Sequence, residues 1–162
     1  HLPRRLRRRR RGGGGFPPSA LEAGEAAREM FEERLATYVA WIAHCQLGAL
    51  LDFKKGLDTQ IRLMPAEEVA FQAAFSRREL RTAIQSAFGG APAKPAAAMR
   101  RRMAKHLCKE EDLLGVAWAR LTEYLCGEYE ALAELASAVY RDEEIDPSPR
   151  RLRDALAAAA LL

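Results

Sequence analysis

The chain has 162 residues, of which 49% are hydrophobic, 30% charged and only 7% aromatic, with a formal net charge of +4. That length supports one buried core and excludes a disulfide-stapled miniprotein or a wholly disordered chain. Three cysteines, Cys45, Cys108 and Cys126, offer no close pair and no even framework, which points to a reducing compartment.

The charge is unevenly placed. Arg4, Arg5, Arg7, Arg8, Arg9, Arg10 and Arg11 lie in an acid-free stretch that continues into Gly12 to Gly15; without these arginines, 19 basic residues stand against 22 acidic ones. Residues 1–18 therefore read as a disordered Arg/Gly-rich tail or linker ahead of a mildly acidic remainder. Such a run can bind anions, releasing counterions from nucleic-acid phosphates or meeting acidic lipid headgroups. No aromatic residue is interleaved with it and no recognition helix follows, which argues against specific nucleic-acid readout. The opening His1 and the absence of an apolar leader read as a piece of a longer chain or an incomplete gene product. No run approaches the ~20 apolar residues that span a bilayer.

Ser19 and Glu22 have the Ser-x-x-Glu spacing in which each side chain satisfies an orphan amide of a first helical turn. Beyond them Phe31, Leu35, Tyr38, Val39, Ile42 and Leu47 recur at threes and fours, predicting an amphipathic helix over about 19–62. Pro65, followed by Glu67 and Glu68, suits the start of a second helix over about 65–88. Ser76 and Glu79 repeat the capping-box spacing inside it, so a kink or pause is expected near Phe75. Gly89 to Pro95 reads as a loop. Met99, Met103, Leu107, Leu114, Trp118, Leu121, Leu125, Leu132, Leu135 and Val139 then keep near-heptad spacing, predicting one helix over about 97–141, roughly 60 Å long. Asp146-Pro147 breaks it, and Ser148-Pro149 caps a last alanine-rich helix over about 149–161. With 31 alanines, 21 leucines and no alternating run of Val, Ile and Thr, the fold class is all-α: an elongated bundle of long antiparallel helices over 19–162.

Chemistry-bearing residues are sparse. His106 and Glu110 lie four apart on one helical face beside Cys108 and Glu111, but Met103 occupies the place where a di-iron Glu-x-x-His motif needs a carboxylate. A zinc site would need His44, Cys45, His106 and Cys108 brought into register. The plainer reading packs Cys108 in the core and leaves His106 and the glutamates to solvent or basic neighbours. No Gly-x-Ser-x-Gly elbow or phosphate-cradling glycine loop is present, and Trp41, Trp118 and the tyrosines at helical spacing read as core. No catalytic set, metal or cofactor is expected.

Two blocks carry a resemblance. The first is Glu67-Glu68-Val69-Ala70-Phe71-Gln72-Ala73-Ala74-Phe75, then Glu79-Leu80-Arg81 and Ile84; the second is Lys105-His106-Leu107-Cys108-Lys109-Glu110-Glu111-Asp112-Leu113-Leu114, then Val116 and Trp118. In order and spacing they resemble the C-terminal region of the exocyst complex component 1 family, with Glu67, Glu68, Gln72, Phe75, Glu79, Leu80, Arg81, His106, Leu107, Glu110, Glu111, Leu114 and Trp118 on the matching positions. The Gly/Ala/Pro-rich loop, the alanine-rich last helix and the arginine tail depart from the family's pattern.

The resemblance implies a helical rod of the tethering-complex type: a non-enzymatic scaffold that binds other exocyst subunits in a hetero-oligomer. It would be cytoplasmic and would reach exocytic sites on the plasma membrane only through the complex, as that complex tethers secretory vesicles. The alternatives are a helical adaptor of another tethering complex, or an anionic-lipid or nucleic-acid binder acting through Arg4 to Arg11.

Overall fold

The computed structural model describes residues 19–109, 111–141 and 143–162. Helices are the only regular elements among them: α1 (Ala20–Leu63), α2 (Ala66–Val69), a 3-10 turn (Ala73–Phe75), α3 (Arg77–Phe88), α4 (Ala93–His106), α5 (Glu111–Tyr140) and α6 (Pro149–Ala159). The all-α class holds. The readings placed on Arg4 to Arg11 and on Glu110 lie outside the described residues.

Side-chain caps set three of the helix starts. Ser19 Oγ accepts from the Glu22 amide at 3.2 Å while Glu22 accepts from the Ser19 amide at 2.6 Å, closing the capping box at the head of α1. Ser76 Oγ accepts from the Glu79 amide at 3.3 Å, and Ser148 Oγ from the Arg151 amide at 3.4 Å with Pro149 in the first turn.

Two of the expected helices are divided. The stretch 65–88 breaks into α2, the 3-10 turn and α3, because Ser76 is extended at φ −69°, ψ 159° in order to cap α3. The stretch 97–141 is also two helices: Leu107, at φ −109°, ψ 26°, ends α4, and α5 restarts at Glu111. The apolar period runs across that joint because Met103 and Leu107 on one side and Leu114 on the other meet the same core. Periodicity therefore reported burial and not continuity. α4 starts earlier than expected, at Ala93, because Pro92 and Pro95 fall where an amide proton would have no helical partner. α1 bends at Leu47, whose φ −122°, ψ 21° departs from helical geometry.

The chain divides into two units, His1–Glu33 and Arg34–Leu162. In the first, residues 19–33 are exposed throughout, Met30 and Phe31 included, which corrects the apolar stripe expected there. In the second, the core is drawn from every long helix: Leu35, Val39, Ile42, Leu50 and Leu57 of α1, Leu80 and Phe88 of α3, Met99 and Met103 of α4, Leu121, Leu125 and Leu132 of α5, and Leu152 and Leu156 of α6. Helix α6 packs on both α4 and α5. Among the described residues no helix is long and apolar enough to cross a membrane.

Candidate functional site

The first motif block folds into a clamp that ties α1, α3 and the end of α5 together. The Phe75 ring lies over Gly56 of α1, where a Cβ would stand 2.9 Å from it, and 5.7 Å from the Phe53 ring. Only a residue without a side chain lets the ring sit that close. Gln72 donates to Gln60 of α1 at 3.2 Å, and Leu80 is fully buried. Arg81, the next residue along α3, grips Glu143 with both ends of its fork, Nε to Oε1 at 2.8 Å and Nη2 to Oε2 at 3.2 Å. Those contacts raise the Arg81 pKa.

Arg77 joins Glu143 at 3.4 Å and donates to the carbonyls of Tyr140 and, at 3.1 Å, Arg141. These are among the last carbonyls of α5, which have no partner inside the helix, so Arg77 caps its C-terminus. Arg141, at φ +33°, turns the chain out of the helix there. The Tyr140 hydroxyl donates in return to the Phe75 carbonyl at 2.6 Å. Burial, reinforced by the Glu143 charge, pushes that hydroxyl's pKa up to about 12. Glu67 and Glu68 are exposed, Glu67 lying 3.8 Å from Arg141. The exposed Glu79 contributes the backbone amide that Ser76 caps.

The second block straddles the α4–α5 joint. His106 is exposed, its ring stacked on Trp41 of α1 with centroids 5.5 Å apart, and its Nδ1 lies 3.2 Å from the Tyr38 hydroxyl. Burial raises the Tyr38 pKa. Trp41 is 49% exposed, which corrects the reading of that residue as core: its ring covers His106 and still presents a face outward. Cys108 is exposed as well, because it follows the end of α4 and so misses the core stripe. His44 and Cys45 also face solvent, and among the described residues no three His, Cys, Asp or Glu side chains gather to hold a metal ion.

Leu107 and Leu114 are partly buried against the core, and Trp118 is buried with the Arg100 guanidinium 5.6 Å above its ring. Arg100 also donates to the Ala160 carbonyl at 3.4 Å, where α6 ends, while its Nε and Nη1 are enclosed without a hydrogen-bond partner.

The structure thus brings Gln72, Phe75, Leu80 and Arg81 into one assembly and leaves His106, with Trp41, as a separate surface feature. Glu143, Tyr140, Gly56 and Arg100 were missed by sequence reasoning. Arg81 and Glu143 are 62 residues apart, and no local spacing rule links them.

Comparison with known proteins gives this constellation a lineage. The chain matches the family described as exocyst complex component Sec3, C-terminal, over residues 18–142, a span that holds both motif blocks. It is 29% identical over 140 residues to exocyst complex component SEC3A of Arabidopsis thaliana, covering 86% of this chain and 15% of that protein. It is 30% identical over 124 residues to exocyst complex component 1 of Mus musculus, covering 75% of this chain and 14% of that protein. The Drosophila melanogaster protein of the same name is 29% identical over 115 residues, 70% of this chain and 13% of that one. The chain therefore spans only 13% to 15% of the length of these relatives. No solved structure matches it significantly. With the family match covering most of its length and both blocks in place, the chain belongs to the exocyst complex component Sec3 C-terminal family.

Proposed function

We propose that the chain is a non-enzymatic scaffold segment of an exocyst subunit, helping to assemble the complex that tethers secretory vesicles to the plasma membrane in exocytosis. The family match over residues 18–142 carries this reading. The geometry supports it, because the polar motif residues join one part of the fold to another, as Arg81 of α3 does with Glu143 just beyond α5, instead of converging on a reacting atom. On this reading the partners are other exocyst subunits. The chain turns over no substrate, holds no cofactor, and reaches exocytic sites from the cytoplasm through the complex. Phe75, Leu80, Arg81 and Trp118 support the shape of the contact surface, while the exposed Glu67, Glu68 and His106 belong to the surface itself.

The test is a pull-down of the whole tagged chain from cell lysate, with bound proteins identified by mass spectrometry and a Leu121→Asp chain as the unfolded control, Leu121 being fully buried. Recovery of exocyst subunits by the native chain alone is the expected result. A folded chain that recovers none of them contradicts the reading.

A further inference from the structure

The cations of this chain differ in whether the fold gives them a carboxylate. Arg77 and Arg81 of α3 share Glu143, Arg151 of α6 pairs with Asp146, and Arg153 with Glu130. Helix α4 carries Lys94, Arg100, Arg101, Arg102 and Lys105 and no acidic residue. Among the described residues no carboxylate lies within ion-pair distance of Lys94, Arg101, Arg102 or Lys105.

The placement of these cations is regular. Lys94, Ala97, Ala98, Arg101 and Lys105 recur at threes and fours, so they share one face of α4, while Ala96, Met99 and Met103 are buried on another. A groove runs along the cationic face, lined by Lys94, Ala97, Ala98 and Arg101 of α4, by Gln46 of α1 and by Phe88 near the end of α3. Two alanines on its α4 side let another backbone come close, and lysine and arginine flank them. From Lys94 to Lys105 the cations extend about 16 Å along the helix, close to three turns. Beyond Lys105 stands the half-exposed Trp41, stacked on His106.

We infer that this groove takes an acidic amphipathic helix of a partner protein. Carboxylates at i, i+7 and i+11 of that helix face Lys94, Arg101 and Lys105, and small or apolar side chains rest on Ala97 and Ala98. Charge complementarity selects the partner's sign, and the concave alanine floor selects a helix over a flat anionic bilayer, which would meet the cations and leave the floor unfilled. The inference concerns this face alone and does not depend on which complex the chain enters.

The test uses the whole chain and fluorescently labelled designed helical peptides of about 18 residues. One carries glutamates at i, i+7 and i+11 beside an alanine-leucine stripe, and the others carry glutamine or lysine at the same places. In fluorescence anisotropy at low salt, the glutamate peptide binds about tenfold or more tighter than the glutamine peptide. The double change Arg101→Glu with Lys105→Glu abolishes that preference. Lys55→Glu with Arg150→Glu, an equal change of net charge at exposed residues elsewhere, leaves it intact, and circular dichroism shows both variants folded. The proposal is overturned if no preference is seen, or if the control pair loses binding equally, since net charge alone would then be responsible. Capture by vesicles of about 30% phosphatidylserine through Arg101 and Lys105, uncompeted by the peptide, would assign the face to a membrane instead. Sedimentation of a dimer that Arg101→Glu dissociates would assign it to a second copy.

Discussion

Helices α3 and α4 follow one another across a tight turn in which Gly89 and Gly90 take φ +53° and +89°, and both are dense in arginine. They use that charge in opposite ways. In α3, Arg77 and Arg81 point at Glu143 and at the open end of α5, so their charge is satisfied within the fold. In α4, Arg101 and Lys105 have no such acid among the described residues. The difference teaches that an arginine-rich helix is not a binding surface by composition: what decides is whether the tertiary fold returns a distant carboxylate to it. The contrast can be broken most severely from the α3 side. Leu80→Asp places an unpaired carboxylate where Leu80 is fully buried, and is expected to cost about 4 kcal/mol, read as a collapse of thermal melting. Melting close to the native value would show that α3 is not held by its apolar face.

The next largest effect tests the seat of the clamp. Gly56→Val puts a branched side chain where the Phe75 ring already lies 2.9 Å from the position of a Cβ, so the ring must leave. A loss of about 2 kcal/mol in denaturant unfolding is expected. Gly115→Val on α5, where nothing lies within 4 Å, serves as the control and should change stability by no more than about 0.5 kcal/mol, since valine is a slightly better helix former than glycine. Equal losses at the two glycines would mean that the contact with Phe75 has no energetic role.

Tyr140 gives a smaller effect with a sign in pH. Tyr140→Phe removes the 2.6 Å bond to the Phe75 carbonyl and leaves that acceptor poorly satisfied, for about 1 to 2 kcal/mol at neutral pH. The folded chain holds the neutral phenol, raising its pKa from 10.0 to about 12. Its contribution is therefore present in full below pH 10 and is lost as pH rises from 10 through 12. Tyr129, raised in the same direction by burial and by Asp146, donates to the Pro147 carbonyl at 2.7 Å and adds to the same alkaline loss. Unfolding titrations should show a shallower decline over that window for Tyr140→Phe than for the native chain.

What could be read from the sequence follows from the range of the interactions. Caps at Ser19, Ser76 and Ser148 act over three residues, so their spacing sufficed, and the apolar period located Met99, Met103, Leu121 and Leu125 in the core. The break at Leu107 was hidden because the stripe stays in phase across it, and no glycine or proline marks the place. Trp41 was misplaced because a large aromatic at helical spacing looks like core; its position at the edge depends on His106 arriving from α4. Of the clamp, Phe75, Leu80 and Arg81 stood out by resemblance, but Glu143 and Gly56 acquire their roles only when α5 and α1 are brought to α3.

The smallest expected effect is the one that sharpens the contrast most. Arg101→Glu with Lys105→Glu changes two exposed side chains that hold no ion pair among the described residues, so the loss in fold stability should stay within about 0.5 kcal/mol. The reversal exchanges one like-charge pair, four residues apart on one helix face, for another, so it relieves no repulsion between positions 101 and 105. Glu111 to Tyr140 is the acidic counterweight in the chain, with six acidic residues against Arg120 alone, yet none of the carboxylates of Asp112, Glu123, Glu128, Glu130 and Glu134 approaches Arg101 or Lys105 within ion-pair distance. Chemical denaturation of the double variant beside Arg81→Glu decides the matter. Arg81→Glu sets two carboxylates against each other at Glu143, whose side chain is only 10% exposed, and should lose clearly more than the α4 pair. If instead the α4 reversal is the more damaging, Arg101 and Lys105 belong to the fold, and the division between a satisfied α3 and an open α4 fails.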